Sequence, residues 1–389
     1  SIGTGKSAFW ESLLAGKSGI GEVERFDVSK FPLKRAGEIK NFKPETFMPQ
    51  KFSNSIGRAS QLAVAAAKLA IEDAKLNPKE LNKNTGVILG TTMGEIPSLE
   101  LIDRFWVGMG EKDVYESHVA KYPVNNLSDN VSRFFGLTGK NYVIPTACAA
   151  GNYSIGFAFD LIRTGKSDVV LAGGTDPLSR IAFTGFSRLF AMAPEKCQPF
   201  DKNRKGMMIG EGAGILVIES LESAKKRNAS VYAEILGYGL SCDAFNMTIP
   251  SEKGISKVIE KAIKNSRIKK EDVDYISAHG TGTGPNDKTE TSAIKNVFGD
   301  SVKNISLTSI KSMLGHTMGA ASALEAITCA LIIENNIIPP TINYETPDPE
   351  CDIDCVPNKA REKEVNVALN DSFAFGGNNA CLVLSKFKE

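Results

Sequence analysis

Cys148 lies in the stretch Tyr142-Val-Ile-Pro-Thr-Ala-Cys148-Ala-Ala-Gly-Asn152, where an apolar run gives way to small residues. Ile155, Phe159 and Ile162 follow at helical spacing, so the cysteine stands at a strand–turn–helix junction. A thiol at a helix N-terminus gains thiolate character from the macrodipole and the unpaired N–H groups, and small neighbours let a substrate approach. Two of the three histidines end apolar runs beside glycine turns, in Asp274-Tyr-Ile-Ser-Ala-His279-Gly-Thr-Gly-Thr283 and Lys311-Ser-Met-Leu-Gly-His316. One thiol and two imidazoles on three strand ends suit covalent acyl transfer through a thioester. A lone cysteine is more often buried and inert, so the reading depends on a fold that brings the three together. His118, between Ser117 and Val119, reads as an ordinary surface or satisfied residue.

The elements that must position these groups alternate in type. Residues 87–90 and 168–174 read as short buried strands, and 55–75 as a helix with Ala59, Leu62, Ala63, Ala66 and Ala70 on one face. Residues 180–199 read as loop-rich, with Phe183, Phe186, Phe190 and Met192 forming either ordinary core or the wall of an apolar pocket. The second half repeats the first in outline. A strand at 304–309 enters the turn ending at His316, and a helix follows with Leu324, Ile327, Thr328 and Leu331 on one face. That is the order seen across 142–164. Strands at 365–369 and 380–385 flank the turn Phe373-Ala-Phe-Gly-Gly-Asn378. Alternation plus duplication predicts an α/β fold of two similar halves, 1–235 with Cys148 and 236–389 with His279 and His316.

A chain of 389 residues suits two such halves, and 42% hydrophobic with 23% charged residues is a globular composition. A net charge of +1 excludes a strong general attraction to nucleic acid. Seven scattered cysteines argue against a disulfide framework and for a reducing, cytoplasmic setting. There is no apolar run of membrane-spanning length and no secretory signal.

Three motif-like strings fail on spacing. Ser1-Ile-Gly-Thr-Gly-Lys-Ser7 ends like a phosphate loop but lacks the earlier glycine and a preceding strand. Ile209-Gly-Glu-Gly-Ala-Gly214 has the wrong glycine spacing for a dinucleotide loop and runs into a strand. Cys351 and Cys355 have no second Cys/His pair to complete a zinc site, so no metal is expected.

Thr146-Ala-Cys148, His279-Gly-Thr-Gly-Thr283, Lys311-Ser-Met-Leu-Gly-His316 and Phe373-Ala-Phe-Gly-Gly377 together resemble, in order, the motifs of β-ketoacyl-[acyl-carrier-protein] synthases of the elongating Cys-His-His type. The resemblance runs from about Phe9 to the last strand. It implies a thiolase-like fold in α/β/α/β/α layers and a decarboxylative condensation that extends an acyl chain by two carbons. It implies that Cys148 carries the acyl group, that His279 and His316 bind the malonyl thioester carbonyl, and that Lys311, with Glu325, tunes the histidine site. The N–H groups of Cys148 and Phe375 would form the oxyanion hole, and Phe375 the gate. Thr281 and Thr283 would bind the pantetheine arm, with Asp287 supporting them. No resident cofactor is implied, because phosphopantetheine arrives on the acyl carrier protein.

The chain departs from the family pattern at Ala374 and Ser322, where glycine is usual, and at Asn378, where threonine is usual. The sequence after Thr283 also differs, and the family's opening strand is missing before Ser1. Further expectations are a homodimer, a carrier-protein patch of Lys51, Arg58 and Arg204, and an acyl pocket lined by Phe186, Phe190 and Met192. Three competing readings are a chain-length partner subunit, a thiolase, and a polyketide or polyene ketosynthase. The first lacks the nucleophile, and the second would need a second catalytic cysteine, for which only Cys381, inside an apolar strand, is at hand.

Overall fold

Near-continuous runs of apolar and small residues place the main strands in two sheets whose central strands are buried on both faces. The protein is described by a computed structural model covering residues 2–77, 81, 84–110 and 114–388. The N-terminal sheet has the order Asn141–Ile144, Gly86–Gly90, Val169–Asp176, Gly212–Glu219, with only the last strand antiparallel to its neighbour. The C-terminal sheet has the order Glu234–Cys242, Asn378–Ser385, Val367–Phe373, Tyr275–Ser277, Ser306–Thr308, with the last three mutually parallel.

Period-2 alternation then builds five layers. Val87, Leu89 and Leu171 point outward onto the helices Arg58–Asp73 and Asn126–Phe135. Ile88, Val170 and Ala172 point inward onto the helices Ala150–Arg163 and Ala321–Asn335, which also meet Ala368, Leu382 and Leu384 of the other sheet. Leu369, Cys381 and Val383 face the opposite way, onto the helices Glu252–Ser266 and Gly284–Phe298. The expected α/β/α/β/α arrangement follows from these alternations. The two central helices are shared by both sheets, and their N-termini meet where the strands end.

Three expectations change, and one unassigned stretch gains structure. Residues Arg180–Arg188 form a helix, not loop, with the Ser179 side chain accepting from the Ala182 N–H at its start. The strand Glu234–Cys242 and the helix Glu252–Ser266 arise in a stretch with no strong sequence signal. A division after residue 235 would cut that strand, which belongs wholly to the C-terminal sheet. Contrary to the sequence expectation, one stretch among the described residues, Met318–Asn335, is long and apolar enough to cross a membrane, and 83% of it is buried inside the fold as a core helix.

Candidate active site

The nucleophile's position is set by a strained turn. After the strand Asn141–Ile144 the chain reaches Ala147 at φ 52°, then the 3₁₀ turn Ala147–Ala149 and the helix Ala150–Arg163. A non-glycine residue in this left-handed region costs conformational energy that the surrounding packing must hold in place. It turns Cys148, only 6% exposed, onto the helix N-terminus. The packing leaves no slack: a Cβ on Gly90 would lie 2.3 Å from the Ala150 carbonyl carbon. The Cys148 carbonyl accepts hydrogen bonds from Ser322 Oγ (3.2 Å) and Ser372 Oγ (2.9 Å), and Ser322 Oγ accepts from the Asn152 N–H at 3.0 Å. The Ser322 departure therefore adds a hydroxyl tie between the two central helices.

The second half repeats the turn. Met318 has φ 53°, the 3₁₀ turn Met318–Ala320 follows, and the helix Ala321–Asn335 begins next. Gly319 thus stands where Cys148 stands in the first half. The Met318 N–H donates to His316 Nδ1 at 3.1 Å, so the proton of the neutral imidazole sits on Nε2.

The fold brings the three groups together. The Cys148 Sγ and one nitrogen each of His279 and His316 all lie within 4.8 Å of one another, and all three residues are buried. The imidazole rings meet edge to face with centroids 5.5 Å apart. Glu290 fixes the end of the strand that carries His279, its oxygens accepting from the His279 N–H (2.7 Å) and Gly280 N–H (2.8 Å). Burial pushes the Glu290 carboxyl up to about 8. Lys311 is buried and ion-paired with buried Glu325.

The electrostatics are one-sided. Burial pushes the Cys148 thiol up to about 12; the Lys311 charge and the N–H groups of Phe375 and Cys148 pull it down, and Asp176 pushes it up. Burial, followed by Lys311, holds both histidines well below the usual imidazole range, which keeps them neutral. Two backbone donors thus point at the sulfur, and neutral imidazoles face it. The cluster has metal-ligand elements, but His316 presents an N–H where a metal needs a lone pair. The Lys311 ammonium opposes a cation as well.

A pocket opens beside Cys148. Phe186, Met207, His279, Thr281, Thr283, His316 and the loop 373–375 line it, along with residues 246–250. The Thr281 and Thr283 hydroxyls lie 2.9 Å apart at its wall. Asp287 stays behind that wall, accepting from the Phe200 N–H (2.9 Å) and the Gly282 N–H (3.2 Å). Phe375 packs on Phe186 with ring centroids 6.0 Å apart. Ala374 has φ −93° and ψ 153°, ordinary extended backbone that alanine adopts without strain.

Other expected residues lie elsewhere. Phe190 does not line the cavity: it is 92% exposed at the end of the Arg180–Arg188 helix. Met192 is buried among Phe183, Leu178 and Ile209. Arg58 binds Glu211 with two hydrogen bonds of 2.9 and 2.7 Å, and Arg204 is ion-paired with Asp348, so neither is a free surface cation. Lys51 alone of that set is exposed. Sequence reasoning missed Met207 and the loop 246–250. The signal was present in Phe245-Asn-Met-Thr-Ile249, three large apolar residues in an irregular stretch.

Known proteins share this sequence pattern and fold. The family model for the β-ketoacyl synthase N-terminal domain matches residues 1–224, and that for the C-terminal domain matches 232–345. A 3-oxoacyl-[acyl-carrier-protein] synthase 2 of Staphylococcus aureus (strain COL) is 40% identical over 399 residues, covering 100% of this chain and 96% of the relative. The solved ishigamide ketosynthase/chain length factor matches with a TM-score of 0.96 and 44% identity, covering 100% of this chain and 96% of that one. A type II polyketide acyl-carrier protein complex with its ketosynthase, bound to the hexaketide, matches with a TM-score of 0.91 and 32% identity over 99% of this chain and 96% of that one. With both halves matched and the Cys-His-His cluster assembled between them, the chain belongs to the β-ketoacyl synthase family.

Proposed function

We propose that Cys148 holds the growing acyl chain while His279 and His316 activate the malonyl unit. The reaction is the decarboxylative condensation of an acyl group with malonyl-[acyl-carrier-protein], giving the 3-oxoacyl-[acyl-carrier-protein] of fatty-acid elongation. In the first half-reaction Cys148 gives up its proton and attacks the acyl thioester carbonyl as the thiolate, the proton ending on the released pantetheine sulfur. The pantetheine thiolate leaves, and the N–H groups of Cys148 and Phe375 hold the oxyanion. In the second, His279 and His316 donate to the malonyl thioester carbonyl. The bond to the carboxylate breaks, carbon dioxide departs, and the electron pair becomes an enolate. That enolate attacks the acyl carbonyl on Cys148, and the cysteine thiolate leaves. Thr281 and Thr283 hold the pantetheine arm. No resident cofactor takes part, because the arm comes with the carrier protein.

The observation carrying this reading is the convergence of the Cys148 sulfur with two neutral imidazoles inside 4.8 Å. The test separates the half-reactions. Cys148→Gln should abolish 3-oxoacyl product while still releasing carbon dioxide from malonyl-carrier protein. His316→Ala should slow that release by roughly a hundredfold or more, as loss of an oxyanion-hole donor does. Product formation by Cys148→Gln would sink the assignment of the nucleophile.

The surface and the relatives support finer assignments. A second subunit would cover the exposed apolar residues of the helix Ile96–Met109 and its neighbours, among them Trp106, Val107, Met109 and Phe190. A homodimer is the simplest such assembly. The 44% identity to the ishigamide ketosynthase/chain length factor favours a second reading of the same chemistry. In that reading the chain works in a polyketide or polyene pathway, and its partner is a chain-length subunit. A cytoplasmic location accords with seven cysteines that are all free thiols.

A further inference from the structure

The two central helices begin in the same way, yet only one N-terminus faces the cavity nucleophile. At the other, Gly319 replaces the cysteine, and the anion there is a carboxylate of the protein itself. Asp176 ends the strand Val169–Asp176 and is fully buried. Its Oδ2 accepts from the Gly319 N–H (2.6 Å) and the Thr92 N–H (2.7 Å). Its Oδ1 accepts from Thr91 Oγ1 (2.8 Å) and the Met93 N–H (2.9 Å). Burial pushes the Asp176 carboxyl up to about 6 against the pull of the four donors, set at a helix N-terminus, so that it is ionised at pH 7 without a cation.

The contact has no tolerance for other side chains. A Cβ on Gly319 would lie 2.6 Å from Asp176 Oδ2, and one on Gly174 would lie 2.2 Å from the Gly319 carbonyl oxygen. The residue before Gly319 is Met318, whose N–H orients His316. Asp176 therefore grips the turn that sets the tautomer and direction of one imidazole, and it ties that turn to the loop 91–93 of the other half.

We propose that Asp176 is a positioning residue for the malonyl half-reaction, anchoring the Met318–Ala320 turn so that His316 presents Nε2–H to the thioester carbonyl. Partners that orient a metal-bound histidine typically matter by ten- to a hundredfold, and a similar scale is expected for this imidazole. The acyl half-reaction is affected with the opposite sign. The Asp176 charge disfavours the Cys148 thiolate, so its removal makes the sulfur easier to ionise.

This inference rests on the functional reading above, and its test distinguishes the two. Carbon dioxide release from malonyl-carrier protein and acylation of Cys148, read by intact-protein mass spectrometry, are measured for the wild-type protein, Asp176→Asn and Asp176→Glu. Asp176→Asn is expected to lower the kcat of carbon dioxide release by roughly tenfold or more, with KM little changed. Acylation should be unchanged or faster, and the cysteine should be alkylated at lower pH. Asp176→Glu, which keeps the charge, should recover part of the lost release. If Asp176→Asn does not fold, Thr91→Val, which removes one of the four donors, should give the same split in weaker form. Equal loss of both half-reactions, or unchanged release, overturns the positioning role. A wild-type protein that releases no carbon dioxide overturns the functional reading and this proposal with it.

Discussion

Lys311 is the residue whose charge reaches every reacting group. It is buried, has Glu325 as its ion-pair partner, and lowers the proton affinity of Cys148, His279 and His316 alike. Replacing it by methionine keeps the volume and removes the charge. Both imidazoles should then protonate at higher pH, because the cation that opposed their charging is gone and Glu325 is left unpaired. A protonated His316 would surrender the Met318 N–H contact. The acid limb of carbon dioxide release by Lys311→Met should therefore move to higher pH, with a larger loss at pH 6 than at pH 8. A loss that is the same at every pH would show that Lys311 acts only through packing. At this scale the sequence is most informative where chemistry stands in a local string, as with Cys148, His279, Lys311 and His316. Asp176 left no such string: its donors lie 83 to 143 residues away along the chain, so only the fold identifies it.

At the scale of elements, the strands around the reactive turns were legible because each is a short apolar run ending in glycine or a small residue. The central helices were legible as well, from apolar residues at helical spacing. Two elements escaped for physical reasons. The strand Glu234–Cys242 lies at a sheet edge and is only partly buried, so its sequence mixes Glu234, Gly237, Gly239 and Ser241 with apolar residues. The helix Arg180–Arg188 carries few strong helix formers, and it is held by its Ser179 cap and by the Glu100 carboxylate accepting from the Ile181 N–H at 2.7 Å. Tertiary contact decides such segments, and propensity does not. The misplaced pocket residues follow from this: on a helix, Phe186 faces inward and Phe190, four residues on and past the helix end, swings outward.

For the whole molecule, the exposed apolar face predicts association. Val107 is 89% exposed and Phe190 92% exposed, values a solitary globular protein gains nothing from keeping. Burying one such side chain contributes about 1.5–3 kcal/mol, so losing it should weaken a dimer roughly tenfold or more. Phe190→Asp or Val107→Asp should shift the mass seen by light scattering toward the monomer at micromolar concentration. A wild-type chain that is monomeric alone but pairs with a chain-length subunit would favour the heterodimeric assembly. An unchanged dimer in both variants would place the interface elsewhere.

The buried thiol of Cys148 has a bearing on durability. Burial raises the proton affinity of this sulfur, so at pH 7 with no substrate bound it is held as the thiol. Peroxides attack thiolates that solvent can reach, and this sulfur is held as the thiol and is only 6% exposed at the wall of its pocket. Under oxidative stress the resting protein should keep its nucleophile intact while exposed Cys242, on the edge strand, is oxidised first. Peptide mass spectrometry after a graded peroxide challenge reads this order directly, and early oxidation of Cys148 would contradict it. The same seclusion that makes the sulfur wait for a thioester thus also shields it between turnovers.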